Sequence, residues 1–488
     1  MLSRLIPIIF AALSTSVAGA QSITSERIYV RCHTQIMKSR PMPGDGLRVQ
    51  VRDGRISASE ACIRLVQLAT FNSQGRISNV VSPPQVAVLQ NFFDFHRSWF
   101  PGEYVKQIPF DRYPANMDVI DPMEPALHVT RALFAPGARY SEIVTGGALE
   151  AIRSNGPQAL GPYAGTTPGR YVMGDPPDLV SFVAWPNVTF AQSGFLHGIA
   201  PIRVLPLAQG SLIGRSIFTD RLPIYPGQPT NIPNILTNFN AGVIGTQAYL
   251  MLNYGRGFGE PSDGGRQMGR RWSKAVLGDL LCRDVPALRQ TDSPPFVQPG
   301  SALSFRKGQS CMQCHATYDR LAGALRNHFW MTSASRLPPD GCEAIQCVKT
   351  VFFSPFTPTM PAEAGPTDRD PDFHLRPPNG TLFYRSYDGT LIDVPVSGLT
   401  NVGFELAKTN DLYVCAAKRY FEYFTGIGVN LQDSGDPINP PLSAADQKYR
   451  DIVIRLGLNL KAHQSLTELM REIFDTDVYK SSDFRGTP

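Results

Sequence analysis

Apolar residues recur at helical spacing in several stretches of the chain, and most of these stretches open on a residue that can cap a helix. Ser57-Ala-Ser-Glu60 precedes apolar Ile63, Val66 and Leu68, so Ser57 with Glu60 forms a capping box for an amphipathic helix. The same reading predicts helices over Pro84–Trp99, Glu124–Phe134, Ser141–Arg153 and Arg266–Cys282. Leu412–Phe424 is a strong aromatic helix. Ser443-Ala-Ala-Asp446 and Ser465-Leu-Thr-Glu468 are two further helix starts. Strand-like alternation is scarce. Leu382–Val394 alternates well enough for a hairpin with Asp388-Gly389 at its turn, and Leu179–Ala184 is a short β-like run. The predicted fold class is therefore mainly α.

Between these elements the chain is rich in turn formers. Asn155–Gln228 carries many Gly and Pro residues and predicts irregular structure with a hairpin at most; Ser293-Pro294-Pro295 to Pro299 is a linker, and Thr332–Pro378 a long loop. The full chain has 42 Gly and 42 Pro in 488 residues. At 42% hydrophobic it can build more than one core. The expected division is a leader over 1–20, an N-terminal helical and irregular region over 21–240, a central domain over 241–435 and C-terminal helices over 436–488.

Charge narrows the function. Charged residues make up 18% and the net charge is +5, with no Lys/Arg block to neutralise a phosphate backbone, so no nucleic-acid partner is expected. At the N-terminus, Arg4, the short apolar run Leu5–Leu13 and Ala18-Gly19-Ala20 have the form of a cleaved signal peptide, with Gln21 as the first mature residue. No later stretch has the apolar length of a transmembrane helix, so a secreted or periplasmic protein is expected. In an oxidising compartment its cysteines can pair.

The sharpest chemical signal is Cys311-Met312-Gln313-Cys314-His315, the C-x-x-C-H form that attaches haem c. Two thiols three residues apart can each add to one vinyl group of the porphyrin, and the next imidazole can then ligate the iron. Chance gives this pattern ~0.002 times in a chain of this composition. Two rivals use the same residues. Cys311, Cys314, Cys342 and Cys347 could hold zinc as four thiolates, or the C-x-x-C could be a thiol redox pair. The candidate sixth iron ligand is Met360, in Thr357-Pro-Thr-Met-Pro361; Met331, His328 and His374 are alternatives, with His328 and Met331 expected on one short helix, and an open sixth site is a further possibility. His33, in an isolated pair with Cys32, reads as structural, His96 on an aromatic helix face reads as a satisfied core histidine, and His128, His197 and His463 have no ligand-spaced partner.

From about Gly242 onward the chain resembles the haem-c proteins of unknown function that are abundant in planctomycetes and other gram-negative bacteria. The resemblance rests on Ala241-Gly-Val-Ile-Gly-Thr, Arg270-Arg271-Trp, Leu280-Leu281-Cys282, the C-x-x-C-H with Asp319 four residues after His315, and Leu412-Tyr-Val-Cys415 to Tyr420-Phe-Glu-Tyr423-Phe424-Thr-Gly426. The closing helix, Ser465-Leu-Thr-Glu-Leu-Met to Ser481-Ser-Asp-Phe484, is also similar. The chain departs from the family pattern in Asp319-Arg-Leu-Ala, where Asp-Pro-x-Gly is usual, and in the longer Thr332–Pro378 loop with its own Cys pair. The resemblance implies a cytochrome c-like domain with one covalent haem c, iron held by His315, and electron transfer with a redox partner in the cell envelope. A haem enzyme, peroxidase-like or associated with an oxidase, and an envelope protein stapled by haem are the alternatives. If Cys311 and Cys314 hold haem, six cysteines remain, with fifteen possible pairings. Membership of Cys282 and Cys415 in the resemblance suggests that they pair; Cys342–Cys347 would close a short loop, and Cys32–Cys62 would tie the N-terminus.

Overall fold

A computed structural model describes residues 22–71, 82–101, 124–146, 149–153, 202–206, 241–245, 249, 253, 266–301, 303–325, 328–333, 347–353 and 378–482. The expected leader and the Leu179–Ala184 run lie outside these residues. The fold is mainly helical, as the pattern predicts. No helix among the described residues is long and apolar enough to cross a membrane.

The cap residues start their helices as expected. Ser57 Oγ accepts from the Glu60 amide at 3.1 Å and opens Ala58–Gln67. Ser443 Oγ does the same for the Asp446 amide at 3.1 Å, opening Ala444–His463, and Ser465 Oγ for the Glu468 amide at 3.3 Å, opening Leu466–Asp475. Each cap satisfies one amide that the first helical turn leaves without a partner.

The centre of the molecule is the helix Asp411–Thr425, whose Tyr413, Tyr420, Phe421 and Phe424 are buried. Each such ring contributes roughly 1.5–3 kcal/mol by leaving water. Ala444–His463 lies along it so closely that a Cβ on Gly457 would sit 2.5 Å from Val414 Cα. N-terminal helices complete the core. Ser25–Met37 packs on Ala58–Gln67, and Ala58–Gln67 packs on Leu466–Asp475. Gln35 Nε2 donates to the Phe424 carbonyl at 2.6 Å, and Ile23 N donates to the Lys480 carbonyl at 2.9 Å. The described parts of the three expected units, 21–240, 241–435 and 436–488, therefore share one apolar core.

Three expectations are corrected. Ser141–Arg153 is helical over Glu142–Thr145 alone, and Leu149–Arg153 is a strand paired antiparallel with Ile202–Pro206. The helix ends at Gly146, which takes an extended backbone conformation. His328 and Met331 lie on the strand His328–Ser333, not on a helix, and this strand pairs with Cys347–Phe353 inside the expected loop. Both segments are rich in aromatic and β-branched residues, which suit a pleated ribbon better than a helix. Helix Arg266–Ala275 passes into a π-helical turn, Val276–Leu280, before Cys282. The Leu382–Val394 hairpin forms with those two residues opposite each other, within strands Asn379–Arg385 and Leu391–Ser397.

Candidate functional site

The C-x-x-C-H segment lies on the helix Gln309–Ala322. Residues 311, 314, 315 and 318 follow the i, i+3, i+4, i+7 spacing and so share one helix face. That face is open: Cys311 is exposed, while Cys314, His315 and Tyr318 are half-buried. Met312 and Ala316 anchor the helix on another side, buried with Leu288 and Phe383. Gly380 of the hairpin approaches so near that a Cβ there would meet the Arg320 carbonyl at 2.6 Å, which fixes hairpin and motif helix together.

His315 is braced from two directions. Its Nδ1 lies 3.2 Å from Asp319 Oδ2, one helical turn on, and its ring stacks on Phe305 with centroids 4.2 Å apart. Arg270, from the neighbouring helix, forks onto the same carboxylate at 2.6 and 3.1 Å. Burial alone would raise the Asp319 pKa, but the hydrogen bond with His315 and the Arg270 charge outweigh it and hold the carboxyl below its ordinary value. An ionised Asp319 accepts a hydrogen bond from Nδ1–H, which fixes the tautomer and leaves the Nε2 lone pair free.

The two thiols are not bonded to each other. Burial pushes the Cys314 thiol above its ordinary pKa, partly offset by the hydrogen bond with Tyr318. A thiol kept protonated is a poor attacking group for disulfide exchange. Other cysteines pair: Cys32 with Cys62 and Cys282 with Cys415, both as expected. Cys342, Met360, His374 and His197 lie outside the described residues, and Cys347, His328 and Met331 lie on strands whose side chains are not described.

The remaining histidines have structural partners or deep burial. His33 Nδ1 bonds the Ser39 carbonyl at 2.8 Å, and His463 Nδ1 accepts from the Ser465 amide at 3.0 Å. His96 lies between Thr130 and Tyr420, and His128 is buried. The residues that the motif alone misses are Arg270, Phe305 and Tyr318. Arg270 and Asp319 both fall in the segments that carry the haem-c resemblance, whereas Phe305 had only its position before the motif to mark it.

No family model, curated protein or solved structure matches the chain.

Proposed function

We propose that the chain is an exported, mono-haem c-type cytochrome-like protein that carries electrons in the cell envelope. The observation that carries this reading is the donor set on one helix face: two unbonded thiols at the attachment spacing, then an imidazole whose Nδ1 is held by a carboxylate. Cys311 and Cys314 would hold the porphyrin as thioethers, and His315 Nε2 would ligate the iron. When bound, haem supplies reversible one-electron exchange. The chain's own share is to fix the imidazole through Asp319 and Phe305, and to neutralise Asp319 with Arg270. Met360 is the proposed sixth ligand. Two disulfides and the lack of a membrane-crossing helix among the described residues agree with export through a leader cleaved after Ala20. The redox partner is a protein of the same compartment.

One observation favours a haem enzyme as the second reading. An anionic acceptor behind His315 makes the imidazole a stronger electron donor, which stabilises oxidised iron. Rapid turnover of peroxide by the purified protein would decide for it.

The test is to produce the chain with its leader in a host that attaches haem c. The expected product keeps its haem through denaturing electrophoresis and shows oxidised and reduced spectra of a ligated haem. Cys314→Ser should weaken attachment, and His315→Ala should abolish the native spectrum. Protein matured in this way that holds stoichiometric zinc and no haem would overturn the proposal.

A further inference from the structure

A second site stands apart from the motif helix. Phe95, Ser98 and Trp99 at the end of the Pro83–Arg97 helix face Gly278 of the π-helical turn and Lys418, Arg419, Glu422 and Tyr423 of the Asp411–Thr425 helix across a cleft of about 520 Å³. Clefts of this size suit small ligands.

Two side chains in its walls have donors without acceptors among the described residues. Arg419 has five N–H groups, and among the described residues its one hydrogen-bond acceptor is the Gly278 carbonyl at 3.3 Å. Its guanidinium lies 4.9 Å from the Trp99 ring centroid. The nearby carboxylates are engaged elsewhere: Asp279 accepts from the Tyr249 hydroxyl at 3.0 Å, and Glu422 pairs with Lys418 at 3.0 Å while accepting from the Val429 amide at 2.7 Å. The Trp99 indole N–H is buried and, among the described residues, has no acceptor. The indole N–H thus lacks the partner that burial normally demands, whereas Arg419 is half-buried, with Asp279 and Glu422 nearby, and keeps N–H groups to spare for a ligand. The adjoining cavity, lined by Arg283, Arg289 and Arg385, differs in this respect, because each of those arginines is paired with Asp411, Asp433 or Asp292.

We propose that this cleft binds a small organic monocarboxylate with an aromatic body. The Arg419 guanidinium offers the paired donors that a carboxylate accepts, with the Trp99 indole packed beside it. Phe95 and Tyr423, with ring centroids 4.3 Å apart, supply a wall for the planar part. Glu422 and Asp284 also line the cleft, so a second negative charge is repelled, which favours a monoanion over phosphate. This inference does not depend on haem.

The test uses the intact, nitrogen-labelled protein, with benzoate and naphthoate as probes and benzamide and inorganic phosphate as comparisons. The Trp99 indole N–H signal is assigned by its loss in Trp99→Phe. Either carboxylate should shift that signal saturably while benzamide does not, and Arg419→Gln should weaken binding at least about tenfold. The proposal is overturned if neither carboxylate moves the Trp99 signal up to about 10 mM, a limit well above ordinary ligand affinities. It is also overturned if phosphate binds more tightly, or if Arg419→Gln with a wild-type melting curve binds equally well. If Arg419→Gln does not fold, the Trp99 signal of the wild type decides alone.

Discussion

The Asp319 carboxylate bonds His315 Nδ1 at 3.2 Å and Arg270 Nε at 2.6 Å, so its negative charge is shared between the proposed iron ligand and a counter-ion. That sharing sets opposite expectations for two substitutions. Asp319→Asn keeps an acceptor for Nδ1 but removes the charge, so oxidised iron loses stabilisation and the reduction potential should rise. Arg270→Gln leaves the carboxylate unneutralised, so the potential should fall. Potentiometric titration of the two variants checks this. Shifts of the same sign would mean that the charge does not reach the iron and that Asp319 only positions the ring. At Met360, between Pro358 and Pro361, the outcome is spectroscopic. A thioether ligand gives the oxidised protein a far-red charge-transfer band, which Met360→Ala should remove. A band that survives Met360→Ala would reject Met360 in favour of another thioether such as Met331, and a band absent from the wild type would point to His328 or His374.

Helix packing makes its own prediction at Gly457, where a Cβ would meet Val414 Cα at 2.5 Å and Val414 N at 2.7 Å. Overpacking of this kind costs roughly 1–3 kcal/mol, and alanine's better helix propensity returns about 1 kcal/mol. Because the obstructing atoms include backbone, the cost lies at the upper end and Gly457→Ala should lose about 2 kcal/mol in urea unfolding; a variant as stable as the wild type would show that the two helices part freely. Helix starts were the most legible elements, because Ser57, Ser443 and Ser465 cap through contacts three residues away, which sequence spacing encodes directly. The hairpin at Asp388-Gly389 was legible for the same local reason, with Gly389 in the left-handed region at φ +82°. Long-range pairings were not. Nothing near Leu149 marks its partner strand near residue 202, and the run at Cys347–Phe353 is interrupted by Lys349, which hid its alternation inside a proline-rich stretch. At the site, Cys311, Cys314, His315 and Asp319 are local on one helix. Phe305 and the pairing of Arg270 with Asp319 depend on tertiary packing that spacing does not encode.

One apolar core joins Ile28 to Tyr479, and two histidines are sealed in it. Thr130 Oγ1 donates to the Ala126 carbonyl at 2.8 Å, so it accepts from His96 Nδ1–H, and His96 Nε2 accepts from the Tyr420 hydroxyl at 2.7 Å. His96 is therefore a neutral imidazole with both nitrogens engaged. Burial pushes its pKa down to about 3. Burial, with a smaller push from Arg131, takes His128 down to about 3 as well, and among the described residues its Nε2 has no partner. The folded pKa lies below the unfolded value, so between the two the unfolded chain binds more protons and stability falls as pH falls. With an unfolded pKa of about 6.5, each histidine should take away about 2 kcal/mol between about pH 7 and pH 5. Paired carboxylates act lower. Glu60, Asp292, Asp319 and Asp433 are held below their ordinary values, so their contribution is present above the unfolded carboxylate pKa and is lost only as pH falls below it. Urea unfolding at the two pH values thus reads the histidines against Asp94, whose carboxyl burial raises and which acts in the opposite sense in both proteins. His128→Leu removes a buried nitrogen that has no hydrogen bond to lose, so the variant should fold and should lose about 2 kcal/mol less than the wild type over this window. The same pH slope in both proteins would mean that His128 is protonated in the folded state, and that the core around it admits water.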